Sequence, residues 1–207
     1  MKTDDWEVVL LSTEAGTRIV NGLQAPGPGT WRFDPGHTTL MAEARHLMVT
    51  KVRGRFTDFT GTIHVAEVPE ESFVEVEIEA ASIDTGNADR DAHLRSPDFL
   101  DVQKHHTLTF RSTGVELGDG PEFRVPGELS IRGVTRPVVL EAEYLGATAD
   151  PWGNTRVGFS ATTEIDREDF GMTWNVALEA GGVLVSKKIK IDLEVQAVAA
   201  SAEEAAA

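Results

Sequence analysis

From Trp31 to Val198 the apolar residues recur at every second position. Val74, Val76, Ile78 and Ala80 alternate with Glu75, Glu77 and Glu79. Ile189, Ile191, Leu193 and Val195 alternate with Lys188, Lys190, Asp192 and Glu194. Leu40, Ala42 and Ala44 share one parity, as do Leu108 and Phe110, and again Val138, Leu140, Ala142 and Tyr144. Successive side chains of a strand point to opposite faces, so this pattern specifies strands with one buried and one wetted face. Strands of that kind belong to antiparallel sheets. Turn-forming clusters punctuate the runs at Val68-Pro69, Gly118–Pro121, Arg132-Gly133 and Asp150–Asn154. The reading is all-β, with about eight strands, the number that closes a small barrel able to hold one ligand.

One stretch breaks the alternation. Asn87–Asp101 reads as a short helical segment near residues 88–101, with Asn87 or Asp89 as its cap and Pro97 at a turn. A lone helix between strands can cover a barrel mouth. Residues 1–29 fall outside the pattern and are read as an N-terminal extension able to form a hairpin. Its strands would be Trp6–Ser12 and Thr17–Gly22, with Ala25–Gly29 as a linker or hard turn. The barrel spans 30–198, and residues 199–207 are expected to form a disordered tail, since they offer no core-forming side chain.

Composition removes several classes of function. The net charge of −15 repels phosphate backbones, which argues against nucleic-acid binding. The absence of cysteine excludes disulfides, thiol nucleophiles and Cys-ligated metals. No run approaches the ~20 apolar residues of a spanning helix, so no stable membrane insertion is expected. Val8–Leu11 is too short for a signal-peptide core and follows acidic residues, so a cytoplasmic location is expected.

Inward parity collects the candidate lining residues: Leu40, Ala42, Phe56, Phe59, Val76, Ile78, Phe99, Phe110, Leu129, Phe159, Phe170 and Trp174. Small residues at repeated inward positions (Ala42, Ala44, Ala80, Gly127, Ala161) leave volume near the axis, whereas Phe56, Phe110 and Phe159 are large enough to fill it. The residues alone leave a hollow and a filled barrel both open. His46 shares the parity of Leu40 and could meet a polar head group at a mouth, or sit as a satisfied rim histidine. Arg53 and Arg55, beside Lys51, suit either a charged head or the acidic neighbours Glu75 and Glu77. Asp89, Arg90, Asp91, His93 and Arg95 are read as ties between the helix and the barrel rim rather than as a catalytic set.

Metal and enzyme signatures are weak. Adjacent His105 and His106 point to opposite faces of an extended chain, so no metal is expected. There is no GxSxG elbow, P-loop or dinucleotide fingerprint, and the carboxylates lie at outward parity, so no catalytic residues are assigned. If the chain were an enzyme, His46 with Glu43 or Asp58 would be the pair to inspect.

The segment SIDTGNADRDAHLRSPDFLDVQKHHTLTF (Ser82–Phe110) resembles the signature of the YceI-like family. TWRFDPGHTTL (Thr30–Leu40), with Asp34 and His37, is similar to that family's opening strand, and HLMVTKVRGRFTDFTGTI (His46–Ile63) to its second. Gly127–Tyr144 and Asp150–Asn175 resemble its later hairpins. The resemblance runs in order from residue 30 to about 198. It implies an eight-stranded, lipocalin-like antiparallel barrel that binds a long polyisoprenoid, isoprenoid quinone or similar lipid. Such a lipid would take the place of a cofactor, and the relatives imply a homodimer. Many relatives are exported, whereas this chain shows no export signal.

The chemistry fits that ligand class, because each buried CH₂ contributes roughly 0.8 kcal/mol and few polar contacts are needed. Three readings follow: a lipid carrier or sequestering protein, an enzyme acting on an apolar substrate, or a filled barrel that assembles through its 1–29 arm.

Overall fold

The computed structural model describes residues 16–178 and 182–200. The N-terminal hairpin pairs β1 (Thr17–Val20) with β2 (Leu23–Pro26). The expected hairpin differed. Asn21 and Gly22, read as the end of a strand, form the turn, both with positive φ, because Asn-Gly suits the two-residue turn whose twist matches a hairpin. The supposed linker contributes Ala25 and Pro26 to β2. Trp6–Ser12 lies outside the described residues.

Eight strand lines then close on themselves. The first is bent, β3 (Gly29–Phe33) continuing into β4 (Thr39–His46), and so is the second, β5 (Thr50–Phe56) into β6 (Phe59–Val65). β7 (Phe73–Glu79) leads through a short 3-10 turn to β8 (Ile83–Asp84), which pairs with β5 at the rim. Helix α1 (Ala88–Arg95) follows, then β9 (Thr107–Ser112) and the two-residue β10 (Glu116–Leu117). Three long strands complete the wall: β11 (Glu122–Ile131), β12 (Val134–Ala149) and β13 (Thr155–Asp166); β14 (Lys188–Ala199) is the last. Each ladder is antiparallel. β14 pairs on one side with β13 through Arg156–Asp166 and on the other with β3 and β4, so the sheet has no free edge around the barrel. Residue 199, expected in a tail, belongs to β14; residues 201–207 lie outside the described residues. The helix is shorter than the expected 88–101: Ser96 ends it, and residues 97–100 form turns. Asn87, not Asp89, is its cap, accepting from Arg90 N at 3.0 Å. Among the described residues no helix is long and apolar enough to cross a membrane.

Strand direction gives the barrel two unlike ends. The starts of β3, β7, β11 and β13 mark one end, and their finishes mark the other, where α1 and residues 171–178 and 182–187 lie. The first end is sealed. Trp31, Val157 and Ala197 are all but inaccessible there, with Phe33, Ile63, Tyr144 and Phe159 packed against them. The β1–β2 hairpin fastens to this floor: the Tyr144 hydroxyl donates to Gln24 O, Trp31 Nε1 to Gly27 O, and Arg18 to Ala66 O and Glu67 O. Burial pushes the Tyr144 phenol up to about 12.

An ion cluster braces the floor from outside. Arg156 bridges Asp34 (2.5 Å) and Asp150 (2.9 Å), and Asp34 also meets His37 Nδ1 at 2.8 Å. The Arg156 bond holds the Asp34 carboxyl below the usual range against the cost of burial. At Asp150 burial is the largest influence and acts the other way. Hydrogen bonds from Asn154, Arg156 and the Trp152 N–H together outweigh it and hold the carboxyl far below the usual range. The D-x-x-H element at Asp34 and His37 is thus part of a clamp between strands.

Two outcomes follow from these contacts. A depressed carboxyl stabilises the fold above its unfolded pKa and loses that contribution as pH falls through its folded pKa. In urea unfolding, the stability gap between the native chain and Asp150→Asn should be widest near neutral pH and close as pH drops below about 4. At Gly61 a Cβ would meet three Phe33 ring atoms at 2.2–2.5 Å. Gly61→Ala should therefore cost about 1–3 kcal/mol in the same assay.

Candidate functional site

The inward faces enclose a cavity of about 620 Å³ walled almost wholly by hydrocarbon. The barrel is therefore hollow, which parity alone left open. Several small residues create the space. Ala42 and Ala44 on β4, Ala142 on β12 and Ala161 on β13 all line it; Gly54 on β5 lines it too, but the Thr85 and Ile83 side chains take the room it leaves. Ala80 and Gly127 do not line it. Ala80 is buried in the 3-10 turn after β7, and the room left by Gly127 is taken by the Phe110 ring, 2.6 Å from where a Cβ would stand.

Of the residues singled out by parity, Leu40, Ala42 and His46 line the cavity from β4 and Phe56 from β5. Val76 and Ile78 do so from β7, Phe110 from β9, Leu129 from β11 and Phe159 from β13. Phe99 and Trp174 reach it from the mouth segments. Phe59 and Phe170 are buried but stand outside the cavity wall. Phe59 opens β6 opposite Ile78, on the inward face, but does not reach the cavity, and Phe170 ends a 3-10 turn, where period-two counting lapses.

Polar groups gather at the mouth. Asp91 accepts from both the Thr85 N–H (2.9 Å) and the Thr85 hydroxyl (2.6 Å). The Thr85 hydroxyl bond leads, against burial, in holding the Asp91 carboxyl below its usual value. Arg95 donates to Ala81 O (2.8 Å) and Ile83 O (2.7 Å), and Arg90 to Thr85. The charged signature thus fastens α1 to the rim. Asp89, Arg90 and His93 also reach the cavity. His93 bonds Asp98 at 3.0 Å and meets Phe99 and Trp174 edge-on at 5.0 and 4.6 Å.

Outside, Lys51 and Arg53 both bond Glu43, and Arg55 reaches Asp84, so Glu75 and Glu77 are not their partners. The Lys51 bond leads in holding the Glu43 carboxyl below its usual range. A carboxylate so committed is a poor base for His46. Among the described residues no three His, Asp or Glu side chains converge as a metal site would require.

Arg167 was missed. It is buried to 1% exposure and forms part of the cavity wall. Burial pushes its guanidinium pKa down against the pull of Glu168 and Asp166. The signal was present, since Arg167 shares the inward parity of Ile165.

A closed antiparallel barrel with a sealed floor, a mostly hydrocarbon-lined cavity and charged lining groups gathered at one mouth defines a lipocalin-like barrel. The chain matches the YceI-like domain over residues 31–197 and belongs to that family. It is 43% identical over 137 residues to a UPF0312 protein of Azotobacter vinelandii, covering 66% of this chain and 71% of the relative. The YCEI protein of Campylobacter jejuni superposes with a TM-score of 0.66 at 31% identity, covering 76% and 90% of the two chains. A polyisoprenoid binding domain from Saccharophagus degradans shares the fold, with a TM-score of 0.63 at 15% identity over 82% of this chain and 98% of that one.

If Arg95 anchors α1, Arg95→Ala should raise hydrogen exchange across residues 88–95 by about tenfold or more, each lost charge-assisted bond being worth roughly 1.5–3 kcal/mol. Exchange in β11–β14 should stay unchanged.

Proposed function

We propose that this chain binds one long apolar or amphiphilic lipid, of the polyisoprenoid or isoprenoid-quinone kind, inside the barrel and acts as a carrier or sequestering protein. The cavity carries the reading: about 620 Å³ of enclosed hydrocarbon-lined space, within the range of small-molecule sites. A hydrocarbon wall offers a prenyl tail roughly 0.8 kcal/mol for each CH₂ it buries and offers a water-soluble substrate little. The Saccharophagus degradans domain, described as polyisoprenoid binding, supports the same ligand class. The reading is of a binding protein, not an enzyme. The carboxyls of Glu43 and Asp91 are held ionised by hydrogen bonds, whereas acid–base work near neutral pH calls for a carboxyl tuned upward.

Mass spectrometry of an organic extract of the purified chain should find a long-chain isoprenoid in near-stoichiometric amount. A chain that arrives empty and takes up no added prenyl lipid would sink the proposal. Affinity for prenyl alcohols should rise with each added isoprene unit and then level off as the cavity fills. Ala161→Phe, which places a ring where the wall is hollow, should bring that plateau to a shorter tail while leaving the fold intact by circular dichroism.

A further inference from the structure

Arg167 is a buried cation with no ion-pair partner among the described residues. Its Nε donates to Ser186 O at 3.0 Å and its Nη1 to Met172 O. Nη2 has no acceptor among the described residues. Among the described residues no carboxylate stands within ion-pair distance: Glu168 is taken by Lys187 at 2.7 Å, and Asp166 accepts from Glu168 N. The guanidinium carbon lies 5.9 Å from the centroid of the Phe99 ring, which itself touches Trp174 and His93. An arginine so enclosed is costly unless something balances its charge, and an apolar side chain of similar size would pack there at less expense in free energy. Its place in the wall of a mostly hydrocarbon cavity, whose mouth also carries Asp89, Arg90 and His93, puts this charge beside the path of a bound lipid.

We infer that Arg167 is the head-group site of the cavity, and that Nη2 takes an anionic oxygen, carboxylate or phosphate, at the head of a lipid whose tail fills the barrel. The inference rests on the lipid-binding reading and sharpens it. Two observations fix the orientation. Arg167 stands at the end of β13 near the mouth, and the opposite end is sealed by Trp31, Val157 and Ala197. A tail runs toward that floor, and the head remains at the guanidinium. Arg167 also tethers two mouth segments through Ser186 O and Met172 O, so a head group bound there rigidifies the opening.

The test compares two probes with the same C20 tail, geranylgeranyl phosphate and geranylgeraniol, by displacement of a fluorescent polyene. The native chain should bind the phosphate about tenfold or more tightly, as a charge-assisted hydrogen bond implies. Arg167→Met should abolish that preference while shifting alcohol affinity less than about threefold. Equal affinities in the native chain, or a preference that survives Arg167→Met, would overturn the site while leaving lipid binding intact. Failure of both probes to bind the native chain would overturn the lipid reading and this inference with it. Should Arg167→Met fail to fold, nitrogen-15 NMR of the native guanidinium decides. The Arg167 Nη resonances should move with the phosphate and hold still with the alcohol, and identical behaviour with both would overturn the proposal.

Discussion

The ladder between β13 and β14 is the contact on which the rest depends. It runs from Arg156 with Val198 to Asp166 with Lys188, and it joins the last strands of the chain into a ring with the first. Without it the inner faces would form an open sheet, free to fold onto itself and squeeze out its interior. With it, every inward side chain is held at a fixed distance from the axis. The small ones at Ala42, Ala142 and Ala161 then leave space that neighbours cannot collapse into. The volume of the site is a property of ring closure first and of side-chain choice second.

Much of this was legible because a strand converts sequence parity into direction. Counting by twos placed Val76, Phe110, Leu129 and Phe159 on the wall, and the turn clusters at Arg132-Gly133 and Asp150–Asn154 fell where β11, β12 and β13 meet. Parity fails where the chain leaves a regular strand, which is why Phe170 was counted in; Arg167 shares the inward parity of Ile165 and was passed over because a charge was not expected in an apolar wall. Parity also says nothing of how far a neighbour reaches. Gly127 promised space that Phe110 occupies. The partners of Lys51, Arg53 and Arg55 depended on which strands lie side by side, and pairing register is not written in any one strand.

The two ends of the barrel solve different problems with similar residues. At the floor, Arg156 is shared by Asp34 and Asp150 and its charge is fully matched, which suits a seal. At the mouth, Arg95 and Arg90 spend their donors on backbone carbonyls and a hydroxyl to hold α1, while Arg167 keeps a donor with no acceptor among the described residues. The acidic exterior of the strands is a separate layer, with Glu43, Glu75 and Glu141 paired across strands, and only Asp89 at the mouth reaches the cavity among the described carboxylates.

The hydrocarbon character of the wall has a consequence for how such a container behaves in a crowd. Apolar attraction is non-directional and scales with area, so tails of equal size are nearly interchangeable to the wall. Among competitors of similar bulk, occupancy then follows mass action. In the proposed lipid-binding role, the barrel would sample whatever is abundant, and its contents would report the composition of its surroundings as much as its own preference.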